Sequence, residues 1–139
     1  MRRLHVAEAA DRDLLVRWHL AFHAEIGEGH GDLGPIVDDR IQAGVLILWE
    51  NEDGVPVSMA ARSQPEADMI RVQLVYTPPD QRGRGYAGAA TTAVTRDALA
   101  LGVSAVVLVT DLANPTSNAL YQRLGYRPVE DRVVVEFSS

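Results

Sequence analysis

The amino-acid sequence predicts an α/β layered domain with a mixed sheet, antiparallel in its first half and parallel around one long helix. Three observations support this prediction. Apolar residues recur at helical spacing in residues 12–26 and 86–101. Between those segments, three short apolar runs separated by turn sequences predict adjacent antiparallel strands. A fourth apolar run follows the long helix, which is typical of a crossover between parallel strands.

The composition is that of a globular protein, and we expect residues 1–139 to form a single domain, since soluble domains most often contain about 100–150 residues. The chain has no cysteine, which excludes a disulfide framework, a thiolate zinc site and a cysteine nucleophile. Without an apolar run of about 18 residues or a signal-peptide pattern, we expect a cytoplasmic protein with no membrane partner. The net charge of -6 argues against nucleic acid and weakly favours a cationic partner such as an amine.

The first part of the chain is predicted to form a strand, over residues 3–7, and two helices. Asp11 can cap the first helix, whose buried stripe has helical spacing. That stripe contains Leu14, Leu15, Trp18, Phe22 and Ile26. Residues 27–34 include four glycines and predict a flexible connection. A second, short helix is predicted over residues 35–42, with Pro35 in its first turn.

Three strands are predicted next, over residues 45–50, 55–63 and 69–76, and the sequence Asn-Glu-Asp-Gly at residues 51–54 predicts a hairpin turn between the first two. Alternation along the third strand places its residues on two opposite faces. One face carries Ile70, Val72, Leu74 and Tyr76, and the other carries Arg71, Gln73 and Val75.

The rest of the chain predicts two helices and two strands. Gly85 opens the long helix and Gly102 ends it. Residues 105–110 form a strand covered on both faces, and residues 132–137 form the last strand. A helix between them begins at Asn114 and Pro115 and ends at Gly125. The buried stripe of the long helix is Ala87, Ala90, Val94, Ala98 and Leu101.

The strongest chemical signal is the sequence Arg-Gly-Arg-Gly-Tyr-Ala at residues 82–87, between a strand and the long helix. Glycines let the backbone turn tightly near a ligand, and free amides at a helix start attract a pyrophosphate. The loop lacks the Gly-Lys-Ser/Thr of a nucleotide P-loop and the three-glycine dinucleotide pattern. Taken alone, it is also compatible with a glycine-rich turn whose arginines are merely solvated.

A second motif runs from Asn114 to Tyr121 and continues into Leu124-Gly125-Tyr126. Asn114 can cap the helix, and Tyr121 lies about two turns further on. Taken alone, Tyr121 is most simply a core residue whose hydroxyl finds a hydrogen-bond partner.

Together, the two motifs resemble the GNAT superfamily of acetyltransferases over residues 70–127. Residues 82–87 match its acyl-CoA signature Gln/Arg-x-x-Gly-x-Gly/Ala. The resemblance implies the GNAT acyl-CoA N-acyltransferase fold, with a mixed sheet of about six strands, and acetyl-CoA as cosubstrate without a metal. It implies cofactor contacts from Leu74, Val75, Tyr76, Arg82, Gly83, Arg84, Gly85, Tyr86, Ala87, Asn114 and Asn118.

The resemblance also implies a mechanism, in which Tyr121 is the general acid at the CoA sulfur and the Val75 amide binds the thioester carbonyl. Because no cysteine is present, direct attack in a ternary complex is favoured, although a serine or threonine nucleophile stays open. Many relatives carry a carboxylate base on the strand matching residues 69–76, and this chain has none there. Candidates elsewhere, each also readable as a solvated surface group, are Glu25, Glu28, His30, Glu50 and Asp68.

The expected activity is transfer of an acetyl group to a primary amine of a small molecule or peptide. Two alternatives stay open at this point, namely a non-catalytic module that binds acyl-CoA and the catalytic half of a longer tandem acetyltransferase. A homodimer is also compatible with the sequence.

Overall fold

The computed structural model of the protein describes residues 4–27, 31–109, 127–128 and 134–138. The helices are α1 (Arg12–Glu25), α2 (Gly34–Ala43) and α3 (Tyr86–Leu99). Short 3₁₀ turns, Ala9–Asp11 and Pro79–Gln81, come before α1 and α3. The strands are β1 (Leu4–Val6), β2 (Leu46–Glu50), β3 (Pro56–Arg62), β4 (Met69–Tyr76), β5 (Ala105–Val109), β6 (Arg127–Pro128) and β7 (Val134–Ser138).

Within the described residues, seven strands form one sheet in the order β1-β2-β3-β4-β5-β7-β6. β4 and β5 are parallel, whereas all other neighbours are antiparallel. α3 connects the parallel pair as a crossover. The predicted α/β class and mixed sheet are therefore confirmed. The sheet has one strand more than the expected six or so, because β6 contains only Arg127 and Pro128 and carries no apolar pattern.

The sheet separates two apolar clusters. α1 and α2 cover one face through a cluster that includes Leu15, Val37, Leu46, Leu48 and Met59. α3 covers the opposite face through a cluster that includes Ile47, Ala60, Ala90, Val94 and Val106. β2 and β3 alternate strictly between the two clusters, as half-buried pleated strands should.

The side chains of β4 do not keep the same alternation between the two faces of the sheet along the whole strand. Ala61 pairs with Leu74 but its neighbour Arg62 pairs with Val72, so β4 has one extra residue, Gln73, at this point. Such a β-bulge reverses the faces of the residues that follow it. Ile70 and Val72 accordingly pack in the α3 cluster, while Leu74 and Tyr76 pack in the α1 and α2 cluster. The prediction that these four residues share one face was wrong, because sequence alternation alone does not reveal the bulge.

Several smaller predictions need correction. The Asp11 carboxylate does not cap α1. It accepts hydrogen bonds from the Glu8 backbone N–H and from His5 Nε2, each at 2.9 Å. Ile26 and Leu101 are 50% and 53% exposed, because α1 and α3 end before reaching them. The turn at residues 51–54 is confirmed, with Gly54 N–H donating to Asn51 O at 3.0 Å.

The remaining strand and helix bounds agree with prediction within two residues. The predicted helix from Asn114 to Gly125 lies outside the described residues.

Candidate active site

The central feature of the site is the separation of β4 from β5. Their parallel pairing runs from Met69 opposite Ala105 to Val72 opposite Leu108, and the described residues contain no β4–β5 pair beyond it. β5 goes on to pair Val109 with Val134 of β7. β4 therefore parts from β5 at the bulge, and the side of residues 73–76 that has no strand partner among the described residues is called the cleft below.

The register of the sheet fixes the direction of the Val75 amide. Arg62 donates its N–H to Val45 O of the preceding segment at 3.1 Å. Backbone groups of an antiparallel strand alternate in direction, so Ala60 also directs its N–H and C=O toward β2. Ala60 is the residue opposite Val75. The Val75 amide consequently points away from β3, into the cleft beside β5.

The glycine loop lies next to this end of β4. Gly83 and Gly85 adopt φ values of +79° and +82°, which side chains rarely tolerate. A Cβ placed on either glycine would meet nothing within 4 Å, so backbone conformation rather than crowding requires glycine. Gly85 is the N-cap of α3 and has no side chain that could cap it. The amides of the first turn, which includes Tyr86 and Ala87, therefore receive no cap from this residue, and they carry the positive end of the helix dipole.

The two arginines of the loop differ in surroundings. Arg82 Nη2 donates to both carboxylate oxygens of Glu25, at 2.6 and 2.7 Å, and Arg82 Nε donates to Thr77 O at 2.9 Å. The guanidinium also lies over the Tyr76 ring at 5.9 Å. Arg84 is exposed and has no hydrogen-bond or ion-pair partner in the described part of the chain. Arg82 therefore fastens the loop to α1, and Arg84 is the arginine whose charge is uncompensated there.

The other predicted residues fall into two groups. Leu74 and Tyr76 bury their side chains in the α1 and α2 cluster, and their backbone N–H and C=O groups face β3 because they alternate with those of Val75. Burial is the main cause that raises the pKa of the Tyr76 phenol, and the nearby Glu25 carboxylate adds to it. The predicted acid Tyr121 and the predicted cofactor contacts Asn114 and Asn118 lie outside the described residues.

The three candidate bases that the structure describes lie on or beside three different elements. Asp68 precedes β4 at its far end, roughly 26 Å of strand from Tyr76, and its carboxylate binds the Ser104 hydroxyl and N–H. Glu25 is engaged by Arg82. Glu50 is half-buried at the end of β2, while Glu28 and His30 lie outside the described residues.

Sequence analysis missed one polar network beside the β4 bulge. His19 of α1 is fully buried, with Nδ1–H donating to Leu15 O at 2.7 Å. Its Nε2 accepts a hydrogen bond from Arg40 Nη1 of α2 at 2.9 Å. Burial lowers the pKa of His19 to about 4, and a guanidinium can only donate, so the imidazole is neutral. Arg40 Nη2 reaches Gln73 Oε1 at 3.4 Å. The sequence signal that could have indicated this network is the position of His19, four residues after Leu15 on the apolar side of α1.

Two negative findings apply to the described residues. No three His, Asp or Glu side chains among them are grouped so that they could hold a metal ion. None of the helices in the described ranges is long and apolar enough to cross a membrane.

The fold is shared with solved acetyltransferase structures. A ribosomal-protein-alanine N-acetyltransferase from Brucella melitensis superposes with a TM-score of 0.79 at 16% identity, covering 98% of this chain and 99% of that one. A GNAT family acetyltransferase from the same organism, in complex with acetyl-CoA, gives 0.72 at 18% identity, covering 97% and 86%. A chimera of a Vibrio cholerae spermidine N-acetyltransferase and hSSAT gives 0.76 at 13% identity, covering 99% and 96%.

The sequence comparisons give the family directly. No curated protein matches the sequence. The acetyltransferase (GNAT) family matches residues 12–126, which is most of the chain. The protein therefore belongs to the acetyltransferase (GNAT) family, whose members transfer an acyl group from acyl-CoA to an amine.

Proposed function

We propose that the protein, acting as a single domain, transfers an acetyl group from acetyl-CoA to a primary amine of a small molecule or peptide. One observation carries the proposal: the end of β4 leaves β5 directly beside the left-handed glycine loop that opens α3. This places a cleft lined by free backbone groups next to an anion site at a helix start.

The residues at the cleft fit acetyl-CoA. The first turn of α3, which begins at a glycine, and Arg84, which has no partner among the described residues, suit a pyrophosphate. Val75 directs its backbone N–H and C=O into the cleft, where they can pair with the amides of an extended pantetheine arm, while the backbone groups of Leu74 and Tyr76 face β3. Open space around Gly83 and Gly85 leaves room for the phosphates to approach the backbone. In this arrangement Arg82 contributes by fixing the loop, with its guanidinium held by Glu25.

Chemistry requires polarisation of the thioester carbonyl, a deprotonated amine and a proton for the leaving thiolate. We assign the first task to the Val75 N–H, which points into the cleft. We assign the last to Tyr121, following the family pattern on the segment from Asn114 and Asn118. Since the chain contains no cysteine, the amine attacks the thioester carbon directly in a ternary complex. The carbon–sulfur bond then breaks, and CoA leaves as the thiol.

The activity is tested by supplying acetyl-CoA with a panel of amines and measuring free CoA thiol. Turnover that depends on an amine is expected. Saturable binding of acetyl-CoA with no thiol release from any amine would instead identify a non-catalytic acyl-CoA module. Incubation with acetyl-CoA alone tests the direct route, because a stable acetyl-protein required for turnover would contradict it.

The role of Tyr121 is tested by Tyr121→Phe, which removes only the hydroxyl. Loss of general acid catalysis typically lowers a rate by about 10²–10⁴-fold, so kcat should fall within this range while acetyl-CoA affinity is kept. If kcat stays normal and only the melting temperature falls, Tyr121 is a core residue and another group protonates the thiolate.

A further inference from the structure

Arg40 is a charged side chain that the fold partly buries, and it has no counter-charge among the residues that the structure describes. Its guanidinium donates to neutral His19 and to the neutral amide of Gln73. It makes no ion pair with any carboxylate of the described residues. The nearest acidic residues on its own helix are otherwise placed, since Asp38 binds Arg12 at 2.6 Å and Asp39 is exposed. Two of the five guanidinium N–H groups are therefore used, both by uncharged acceptors.

An anion would complete this arrangement. Charged groups removed from water are normally paired, because burial penalises the charged form. The same desolvation lowers the pKa of Arg40, although a guanidinium stays protonated at neutral pH. A carboxylate suits the vacant donors, because it can accept two parallel hydrogen bonds from one guanidinium.

The position of Arg40 connects it with acetyl transfer. It reaches the β4 bulge at Gln73, which is two residues, or about 6.6 Å of strand, from the Val75 amide. Arg71 lies on the same face of β4 and lines a shallow groove with Ser63, Met69 and Val107. Glu66 lines the same groove. Arg40 and Arg71 therefore bring two positive charges to this face of β4, although the chain as a whole is acidic.

We propose that Arg40 binds a carboxylate of the amine acceptor, so that the acceptor is a small amino acid with its carboxylate a few bonds from the amine. This inference rests on the proposed function. His19 holds one edge of the guanidinium and Gln73 holds the other, so both are positioning residues. The short distance from the bulge to Val75 favours α-, β- or γ-amino acids over long polyamines, which would bring further positive charge to Arg40 and Arg71.

The experiment compares amines that differ only at the carboxylate: glycine with glycinamide, β-alanine with β-alaninamide, and 4-aminobutyrate with its amide. We expect kcat/KM for the acid to exceed that for the amide by about 10–100-fold in at least one pair, as for a hydrogen bond to a charged group. The amine of each amide is less basic than the amine of the matching acid, so a larger fraction of it is neutral and able to attack the thioester. This difference favours the amide and therefore works against the expected result. Equal rates, or faster amides, in every pair would overturn the proposal.

Two variants assign the preference to Arg40. Arg40→Gln should remove it while acetyl-CoA affinity is unchanged, and Arg17→Gln, on the exposed side of α1, should keep it. A preference that survives Arg40→Gln places the carboxylate elsewhere and overturns the assignment. Circular dichroism shows whether Arg40→Gln folds, and if it does not, Arg40→Lys should keep the charge and part of the preference.

A binding measurement separates this proposal from the activity. In the wild-type protein, acetate should shift the Arg40 Nε–H resonance in NMR spectra in a saturable way, whether or not any amine is acetylated. No amine turnover together with a saturable shift would refute the acetyltransferase activity and keep the anion site. Amine turnover with no shift and no preference for the acid would keep the acetyltransferase activity and refute the anion site.

Discussion

The carboxylate of Glu25, the last residue of α1, accepts two hydrogen bonds from Arg82 Nη2 in the glycine loop, at 2.6 and 2.7 Å. The two residues are 57 positions apart in sequence. This ion pair joins the helix layer on one face of the sheet to the loop that opens α3 on the other. The same guanidinium holds Thr77 O at the end of β4, so three elements that border the cleft meet at one side chain.

Breaking this contact should affect cofactor binding more than stability. Glu25→Gln removes the charge that holds Arg82. Binding of acetyl-CoA must then order the loop, which costs about 0.5–1.5 kcal/mol of binding free energy per side chain. We expect the Kd for acetyl-CoA to rise about three- to tenfold. Both side chains are nearly half exposed, so the unfolding free energy should change by less than about 1 kcal/mol.

The matched control is Asp38→Asn, which breaks the similarly exposed Arg12–Asp38 pair on the same helix layer. Calorimetric titration of both variants with acetyl-CoA gives the comparison. Equal affinities for the two variants would show that the Glu25–Arg82 pair does not prepare the loop.

The glycine loop is tested by Gly85→Glu. A side chain at φ +82° is strained by about 1–2 kcal/mol, and a carboxylate would stand in the proposed phosphate site. We expect acetyl-CoA binding to be lost. Gly54→Glu is the control, because Gly54 has a φ of +78° and equally open surroundings in the remote 51–54 turn. Both should lose similar stability, and only Gly85→Glu should lose affinity. A folded Gly85→Glu protein with unchanged affinity would place the phosphates elsewhere.

The buried ion pair between β3 and α3 should be important for stability. Arg62 is 7% exposed and donates through Nε to Asp97 at 2.9 Å. Asp97→Ala leaves that guanidinium with Ser63 O as its remaining described acceptor, so we expect a loss of about 1–3 kcal/mol in urea unfolding. Asp39→Ala, at an exposed site of α2, should change stability by less than about 0.5 kcal/mol. A loss no larger than that of the control would show that α3 does not depend on this pair.

His19 should make stability depend on pH. Its pKa is lowered from 6.5 to about 4 in the folded protein, so the unfolded chain binds the extra proton between these values. The contribution is fully present above pH 6.5 and is lost as the pH falls toward 4. It amounts to at most about 3.5 kcal/mol, since one pKa unit corresponds to about 1.4 kcal/mol. Urea unfolding from pH 7 to 4.5 should show this slope in the wild type and a smaller one in His19→Gln. Parallel curves would exclude His19 as the source.

Most of the architecture is accessible from sequence because it depends on local patterns. The bounds of β4, Met69–Tyr76, are predicted without error, since an apolar run ends at two prolines. The crossover at α3 follows from the glycine before it and the apolar run after it. The left-handed conformations of Gly83 and Gly85 follow from their residue type.

The features missed all depend on contacts between distant segments. Residues 70–76 alternate in sequence as a regular strand would, and only their pairing with β3 reveals the extra residue. In sequence, Arg82 looks like an arginine that faces a ligand. Its side chain instead binds Glu25, which lies on another element and is far away in sequence. The network of His19, Arg40 and Gln73 brings together three elements, and no spacing rule connects them.

The extra residue at the Gln73 bulge affects both the packing of β4 and the opening of the cleft. By shifting phase, it turns Leu74 and Tyr76 inward against α1 and α2, and at the same point β4 leaves β5 and opens the cleft. A one-residue deletion in β4 would therefore exchange interior and surface along half the strand. The length of β4 is thus a constraint on any new specificity built on this scaffold, in addition to the side chains that contact the acceptor.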